Sequence, residues 1–338
     1  MSVVQIRGDA IWLERVIRGS DIPMSLATPA RSLLLTAPRT LAWVEEALAP
    51  PQGDEVLVRT RAGAISGGSE LPQYLGAARG GAPPRYPRMT GYESVGTVAA
   101  CGPQVRRLHV GDRVVTFYGH RTAALVPERS AIPVPDGISD ELALLAILTC
   151  DAAKGVRAIA PLPEESALIT GAGAMGLFTL FILKAYGVAV VDVVEPAVSR
   201  HALALALGAR ATLTPDEAQV HLAEYAIAFE CSSRDAAFAL AQERLLPGGR
   251  LCVLADGNLE PLILTPAFHQ KELRVVASSD GWDYQTHAAW YFTLLQRHLT
   301  PLDEVFQQTI TSNELSETFA RLASRELAPV KVLVAYRA

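Results

Sequence analysis

The sequence predicts an α/β protein in which a small β-barrel-type domain is joined to a doubly wound parallel sheet. Three observations carry this expectation. Between residues 30 and 135, short β-rich runs alternate with proline and glycine turns. From Asp140 to about Ser278 helical and strand patterns alternate instead, as helices stacked on a parallel sheet require. Within that second stretch, Gly171-Ala172-Gly173-Ala174-Met175-Gly176 follows the apolar run 167–170 and opens another, 177–186. Strand, glycine turn and helix therefore succeed one another.

In the first domain, strands are expected at residues 32–35, 55–59, 95–98 and 113–117. A helical pattern from Leu142 to Ile159 introduces the second. Its strands are expected at 167–170, 188–194, 225–230, 251–254 and 273–277, each an apolar run of strand length, with helices at 234–245 and 283–298. The tail, a helix at 315–323 and a strand at 330–335, breaks this rhythm and is expected to return to the first domain. The boundaries are then 1–150 with 299–338 for the β-rich domain and 151–298 for the other. Residues 1–28 stand outside both patterns, as an N-terminal extension of unassigned role.

The 338 residues are half hydrophobic, enough for two cores, and the net charge of −5 offers no basic footprint for nucleic acid or an acidic membrane. Charges at Arg7, Asp9, Glu14, Arg15 and Arg18 leave no room for a secretory signal core. Lys184 interrupts the longest apolar stretch near the glycine turn, so no membrane span is expected. Cysteines at 101, 150, 231 and 252 are scattered, which fits a reducing cytoplasm. Glu45-Glu46 and Arg106-Arg107 read as solvated faces.

The glycine turn has a physical use. Gly171 permits the tight turn, Gly173 lets backbone approach a pyrophosphate, and Gly176 lets the helix pack on the strand. Ala174 and Met175 open the helix whose N–H groups would face that phosphate. Glu195 ends the next strand, where an acid meets the adenosine ribose hydroxyls and repels a 2′-phosphate, so NAD(H) is expected over NADP(H). Arg200 complicates this, because a guanidinium there would grip a 2′-phosphate if Glu195 moved. Cys231 and Ser232 end the fourth strand and Ser278 the last. The carboxyl ends of parallel strands are the usual ligand-binding side.

With its β-rich domain, its inserted nucleotide-binding domain and its C-terminal return, the chain resembles the medium-chain dehydrogenase/reductase superfamily over about residues 30 to 338. The landmarks are Gly91-Tyr92-Glu93 before Val95-Gly96-Thr97-Val98, then Gly111-Asp112-Arg113-Val114, the glycine turn, Leu207-Gly208-Ala209 and Leu246-Pro247-Gly248-Gly249-Arg250. The resemblance implies a GroES-like catalytic domain and a Rossmann domain. Ala64-Ile65-Ser66-Gly67-Gly68-Ser69-Glu70 with Gly91-Tyr92-Glu93 is similar to a zinc-lacking branch that includes bacteriochlorophyllide a dehydrogenase. Zinc members hold the metal by Cys, by the His of Gly-His-Glu and by a further Cys, Asp or Glu. Here those places read Ser66, Tyr92 and Cys150, and neutral hydroxyls are poor zinc ligands, so no catalytic zinc is expected. The segment 115–127 is short and cysteine-free, so no structural zinc is expected either.

Without a metal, an alkoxide still needs a proton. Tyr92 is the candidate acid, with Ser66 opposite it, Glu93 as an orienting carboxylate and His120 as a candidate relay. The resemblance implies metal-independent hydride transfer between NAD(H) and a secondary alcohol or ketone, a small-molecule substrate. The alternatives are reduction of an activated C=C bond, as in quinone and enoyl reductases, and NAD(H) binding without turnover. A homodimer formed through the Rossmann domain is also expected, because the run 250–276 supplies strand edges.

Overall fold

The computed structural model describes residues 27–77, 84–221, 223–255, 260–297 and 300–336. Most of the N-terminal extension, residues 1–26, lies outside the described residues. The chain divides into two compact units: one holds everything up to Leu145 together with Phe306 onward, and the other is Ala146–Val305.

The first unit begins with β1 (Thr28–Ala37), β2 (Thr40–Leu48), β3 (Glu55–Ile65), β4 (Arg88–Met89), β5 (Glu93–Cys101), β6 (Arg113–Thr116), β7 (Ala123–Pro127) and β8 (Ile132–Pro133). β1 pairs antiparallel with β2 and β4. β3 is the hub of the larger sheet, antiparallel to both β5 and β7. Val56, Leu57, Val58, Ala62, Ala64 and Ile65 are all buried, so most of this strand is covered on both faces. β2 went unanticipated because it carries the acids Glu45 and Glu46. Glu46 is not a solvated face: it is half-buried and accepts a hydrogen bond from the Ser32 hydroxyl on β1.

The helical pattern expected over residues 142–159 is split at Leu145 into Asp140–Leu144 and Ala146–Ile159. Ser139 caps the shorter helix through the Leu142 amide, and Arg113 holds Asp140 at 2.9 Å.

The second unit contains β9 (Ser166–Thr170), β10 (Val190–Val194), β11 (Ala211–Leu213), β12 (Tyr225–Glu230), β13 (Leu245–Val253) and β14 (Arg274–Ala277). All pair parallel, in the order β11-β10-β9-β12-β13-β14. Counted within the unit this is 3-2-1-4-5-6, the dinucleotide-fold order, with its switch point between β9 and β12. Burial on both faces explains why these strands read as continuous apolar runs: Ala167, Leu168 and Ile169 are fully buried, as are Ile227, Ala228 and Phe229. No helix among the described residues is long and apolar enough to cross a membrane.

β15 (Phe306–Thr311) and β16 (Lys331–Ala335) complete the first unit, and β16 adds antiparallel to β3. Between them the helix Leu315–Ala323 buries Leu315, Thr318, Phe319 and Leu322, one face at helical spacing, against Leu33, Ile65 and Val332.

In the second unit the helix Tyr284–Arg297 buries His287, whose Nε2 lies 3.0 Å from the Thr149 hydroxyl and whose ring stacks on Tyr291. Burial, assisted by the Arg157 charge, pushes this imidazole from its ordinary 6.5 down to about 4. A histidine held neutral in the fold but free to ionise when unfolded favours the fold fully above pH 6.5, and that contribution is lost as pH falls toward 4. Thermal unfolding of the wild type is therefore expected to weaken over that interval by up to about 3 kcal/mol. A His287→Gln variant is expected to show a flatter pH dependence in the same scans.

Candidate active site

β9 delivers the chain to the switch point at Thr170, opposite Glu230 at the end of β12. Gly171 then turns with φ +97°, a conformation that favours glycine, and a Cβ there would sit 3.2 Å from the Cys231 carbonyl. Gly176 is more constrained. Its Cβ would lie 1.8 Å from the Gly171 carbonyl oxygen, so helix and turn are in backbone contact. Gly173 differs: nothing lies within 4 Å of a Cβ built on it. It is also the N-cap of the helix Ala174–Ala185, and no side chain caps that helix. Open space before an uncapped N-terminus is the shape a phosphate needs.

Glu195 stands just past β10, 4% exposed. Its carboxylate accepts hydrogen bonds from the Ala172 amide at 2.6 Å and the Ala197 amide at 2.9 Å, which ties it to the glycine turn. Arg200 closes the 3-10 turn Val198–Arg200, with its guanidinium 3.9 Å from the Glu195 carboxylate. Cys231 donates its amide to Thr170, and the amide of Ser232 bonds Glu230 at 2.6 Å. Ser278 is buried at the end of β14, and its hydroxyl has no hydrogen-bond partner among the described residues. Cys150 is fully buried on the helix Ala146–Ile159. Burial pushes its thiol up to about 12, against the pull of the Trp282 and Asp283 amides.

In the first unit, strand register assembles a second cluster. Val332 of β16 faces Ile65 at the end of β3, and Ala64 faces Glu93 at the start of β5. Lys331, Ser66 and Glu93 thus meet at one end of three adjacent strands. The Lys331 ammonium donates to Glu93 at 2.7 Å and to the Ser66 hydroxyl at 2.9 Å, and Ser66 donates to the same Glu93 oxygen. All three are buried, Lys331 and Glu93 to 1% exposure. Burial pushes the Glu93 carboxyl up, against the pull of the Lys331 ammonium, and its second oxygen has no hydrogen-bond partner among the described residues.

Tyr92 immediately precedes β5, and its hydroxyl lies 3.2 Å from that of Ser69. Sequence reasoning placed Ser66 opposite Tyr92; the hydroxyl at this distance is that of Ser69, in the first turn of the helix Gly67–Tyr74. The missed signal was spacing, since Ser69 lies one helical turn beyond Ser66. His120 is 1% exposed, 3.2 Å from Glu70, with its ring edge-on to Phe319 and so near Gly91 that a Cβ there would lie 2.8 Å from it. Glu70 also accepts the Ser66 amide at 2.8 Å, so His120 reaches the cluster through it. Among the described residues, no three His, Cys, Asp or Glu side chains gather in a metal-binding arrangement.

Residues 52–136 match the alcohol dehydrogenase GroES-like domain. The chain is 31% identical to the geraniol dehydrogenase of Castellaniella defragrans over 221 residues, 49% of this chain and 57% of that protein. It thus spans a little over half the length of that relative. In structure it is similar to the short chain alcohol dehydrogenase of Escherichia coli CFT073 complexed with NADH (TM-score 0.79, 20% identity, 91% of this chain and 99% of that one). A Sinorhizobium meliloti 1021 protein bound to NADP is equally similar (TM-score 0.79, 19% identity, 91% and 99%). At such identities the likeness shows the fold.

The glycines make separable predictions. Gly176→Ala forces backbone apart and is expected to cost about 1–3 kcal/mol or more. Gly173→Ala meets open space and is expected to leave the unfolding midpoint within about 1 kcal/mol of wild type. Chemical denaturation of both variants checks this.

Proposed function

We infer that this chain, a medium-chain dehydrogenase/reductase by its domain match and its relatives, is an oxidoreductase that moves hydride between NAD(H) and a secondary alcohol or ketone without zinc. The observation that carries the reading is the open Gly173 before an uncapped helix N-terminus, at the switch point of a 3-2-1-4-5-6 sheet. A nicotinamide cofactor bound there would supply or accept the hydride. Ala174 and Met175 would hold the pyrophosphate, and Glu195 the ribose hydroxyls. Cys231, Ser232 and the unpartnered Ser278 hydroxyl lie along the strand ends as further polar contacts.

Glu195 supports NAD(H) over NADP(H). Two amides anchor its carboxylate, so a 2′-phosphate would meet a fixed negative charge. Relatives with this fold include one solved with NADH and one with NADP, so the preference rests on Glu195 itself.

On the proton side, Tyr92 donates to the carbonyl oxygen during reduction and recovers the proton during oxidation, with Ser69 as its hydroxyl partner. Ser66 and Glu93 stand behind them, and His120 supports the cluster through Glu70. The zinc of related enzymes does not suit these residues. An ammonium already bonds both Ser66 and Glu93, and a divalent cation beside it would be repelled. Among the described residues β14 is the edge of the six-stranded sheet, and that edge supports a homodimer formed by pairing two copies along it, which light scattering tests.

NADH is expected to bind more tightly than NADPH by about 1–3 kcal/mol in calorimetric titration. Equal or tighter NADPH binding would place Arg200 in control instead. Turnover on ketones found by spectrophotometric screening is expected to fall roughly 10²–10⁴-fold in Tyr92→Phe, with NADH affinity unchanged. Elemental analysis after dialysis in metal-free buffer is expected to find no stoichiometric zinc, and one zinc per chain would refute the metal-free mechanism.

A further inference from the structure

Ser66 is the N-cap of the helix Gly67–Tyr74, a position where serine ordinarily accepts a hydrogen bond from the first turn. Here its side chain makes no cap. It donates to Glu93 and accepts from Lys331 instead, so the helix forgoes its usual side-chain cap. That helix carries Ser69 in its first turn. Glu93, the other group bonded to Lys331, follows Tyr92 directly in the chain. One ammonium therefore holds both segments whose hydroxyls meet: the helix start bearing Ser69 and the strand start bearing Tyr92. Ser66 also bonds Glu93 directly, through the same carboxylate oxygen that Lys331 holds, and the Glu70 carboxylate on the Ser66 amide is a further tie on the helix side. The cation comes from β16, 265 residues from Ser66 in sequence.

We propose that Lys331 is a positioning residue for catalysis: its ammonium joins Ser66 to Glu93 and so sets the Ser69–Tyr92 hydroxyl pair. Lys331 touches neither hydroxyl in this arrangement and acts through the two residues it clasps. The clasp does for these segments what a shared metal does for its ligands, with hydrogen bonds of fixed direction in place of coordination bonds. Arginine preserves charge and donor capacity, whereas methionine preserves bulk alone. The inference rests on the reading of Tyr92 as the proton donor, but its primary test needs no substrate.

The protein, labelled with 3-fluorotyrosine, is observed by ¹⁹F NMR, with the Tyr92 resonance assigned by its loss in Tyr92→Phe. In Lys331→Met the Tyr92 resonance is expected to move while Tyr225 and Tyr291 of the other unit keep theirs, and Lys331→Arg is expected to restore it. With a ketone substrate in hand, Lys331→Met is expected to lower kcat about 10- to 100-fold, with KM and NADH affinity within about twofold. If Lys331→Met does not fold, the double variant Lys331→Met, Glu93→Gln removes both charges and takes its place, with the same expected shift. A Tyr92 resonance at its wild-type position in either folded variant overturns the proposal, whatever the activity. Absence of turnover in the wild type would count against the proposed function alone, and the resonance would still decide this inference.

Discussion

The first unit depends on an ion pair that has almost no access to water. Glu93 and Lys331 meet at 2.7 Å across strands that are far apart in the chain, with Ser66 bonded to both. Such pairs add little net stability over an apolar filling, because dehydrating two charges nearly cancels their attraction. Losing one partner, however, strands the other, at about 3–5 kcal/mol. The pair therefore acts as a constraint more than as a source of stability. Only the arrangement with β16 beside β3 and β5 beside β3 satisfies both charges, so the C-terminal return is locked in register by the chemistry at the end of the sheet. The amphipathic helix Leu315–Ala323 covers the adjacent core with its apolar face, where Ile65, Phe319 and Val332 pack together.

The second unit rests on a steric constraint of the opposite kind. Gly176 and Gly171 touch backbone to backbone, and the absence of side chains permits the contact. This draws the first helix against β9 and leaves its N-terminus pointing past Gly173 into open space. The anchored Glu195 then closes the far side of the turn. Its two amide bonds satisfy a buried carboxylate that would otherwise be costly.

The comparison of expectation with structure follows the range of each interaction. The strand at residues 225–230 and the helix at 315–323 match the structure residue for residue, because periodicity is written locally in the side chains. β2 was missed because its acids mask a strand whose stability comes from pairing with β1. The helix expected over residues 142–159 is two helices, since apolar content alone does not mark the break at Leu145. Among the candidate site residues, the glycine turn and the acid Glu195 after the next strand were legible as local structure, because their spacing lies within one strand-turn-helix unit. Ser69 and Lys331 were not legible. Ser69 gains its significance from a strand end 23 residues away, and Lys331 from partners 238 and 265 residues away.

By itself, the sequence determined the alternation of strands and helices after Asp140, the glycine turn and the acid that follows it. Each depends on backbone conformation or side-chain period within a short stretch, and the physics acting there is local. Tertiary structure alone decided which hydroxyl meets Tyr92, where the Glu93 charge finds its partner, and that Ser66 gives up its helix cap. Those outcomes depend on strand register, and register is set by burying apolar faces and pairing charges between segments that no local pattern connects.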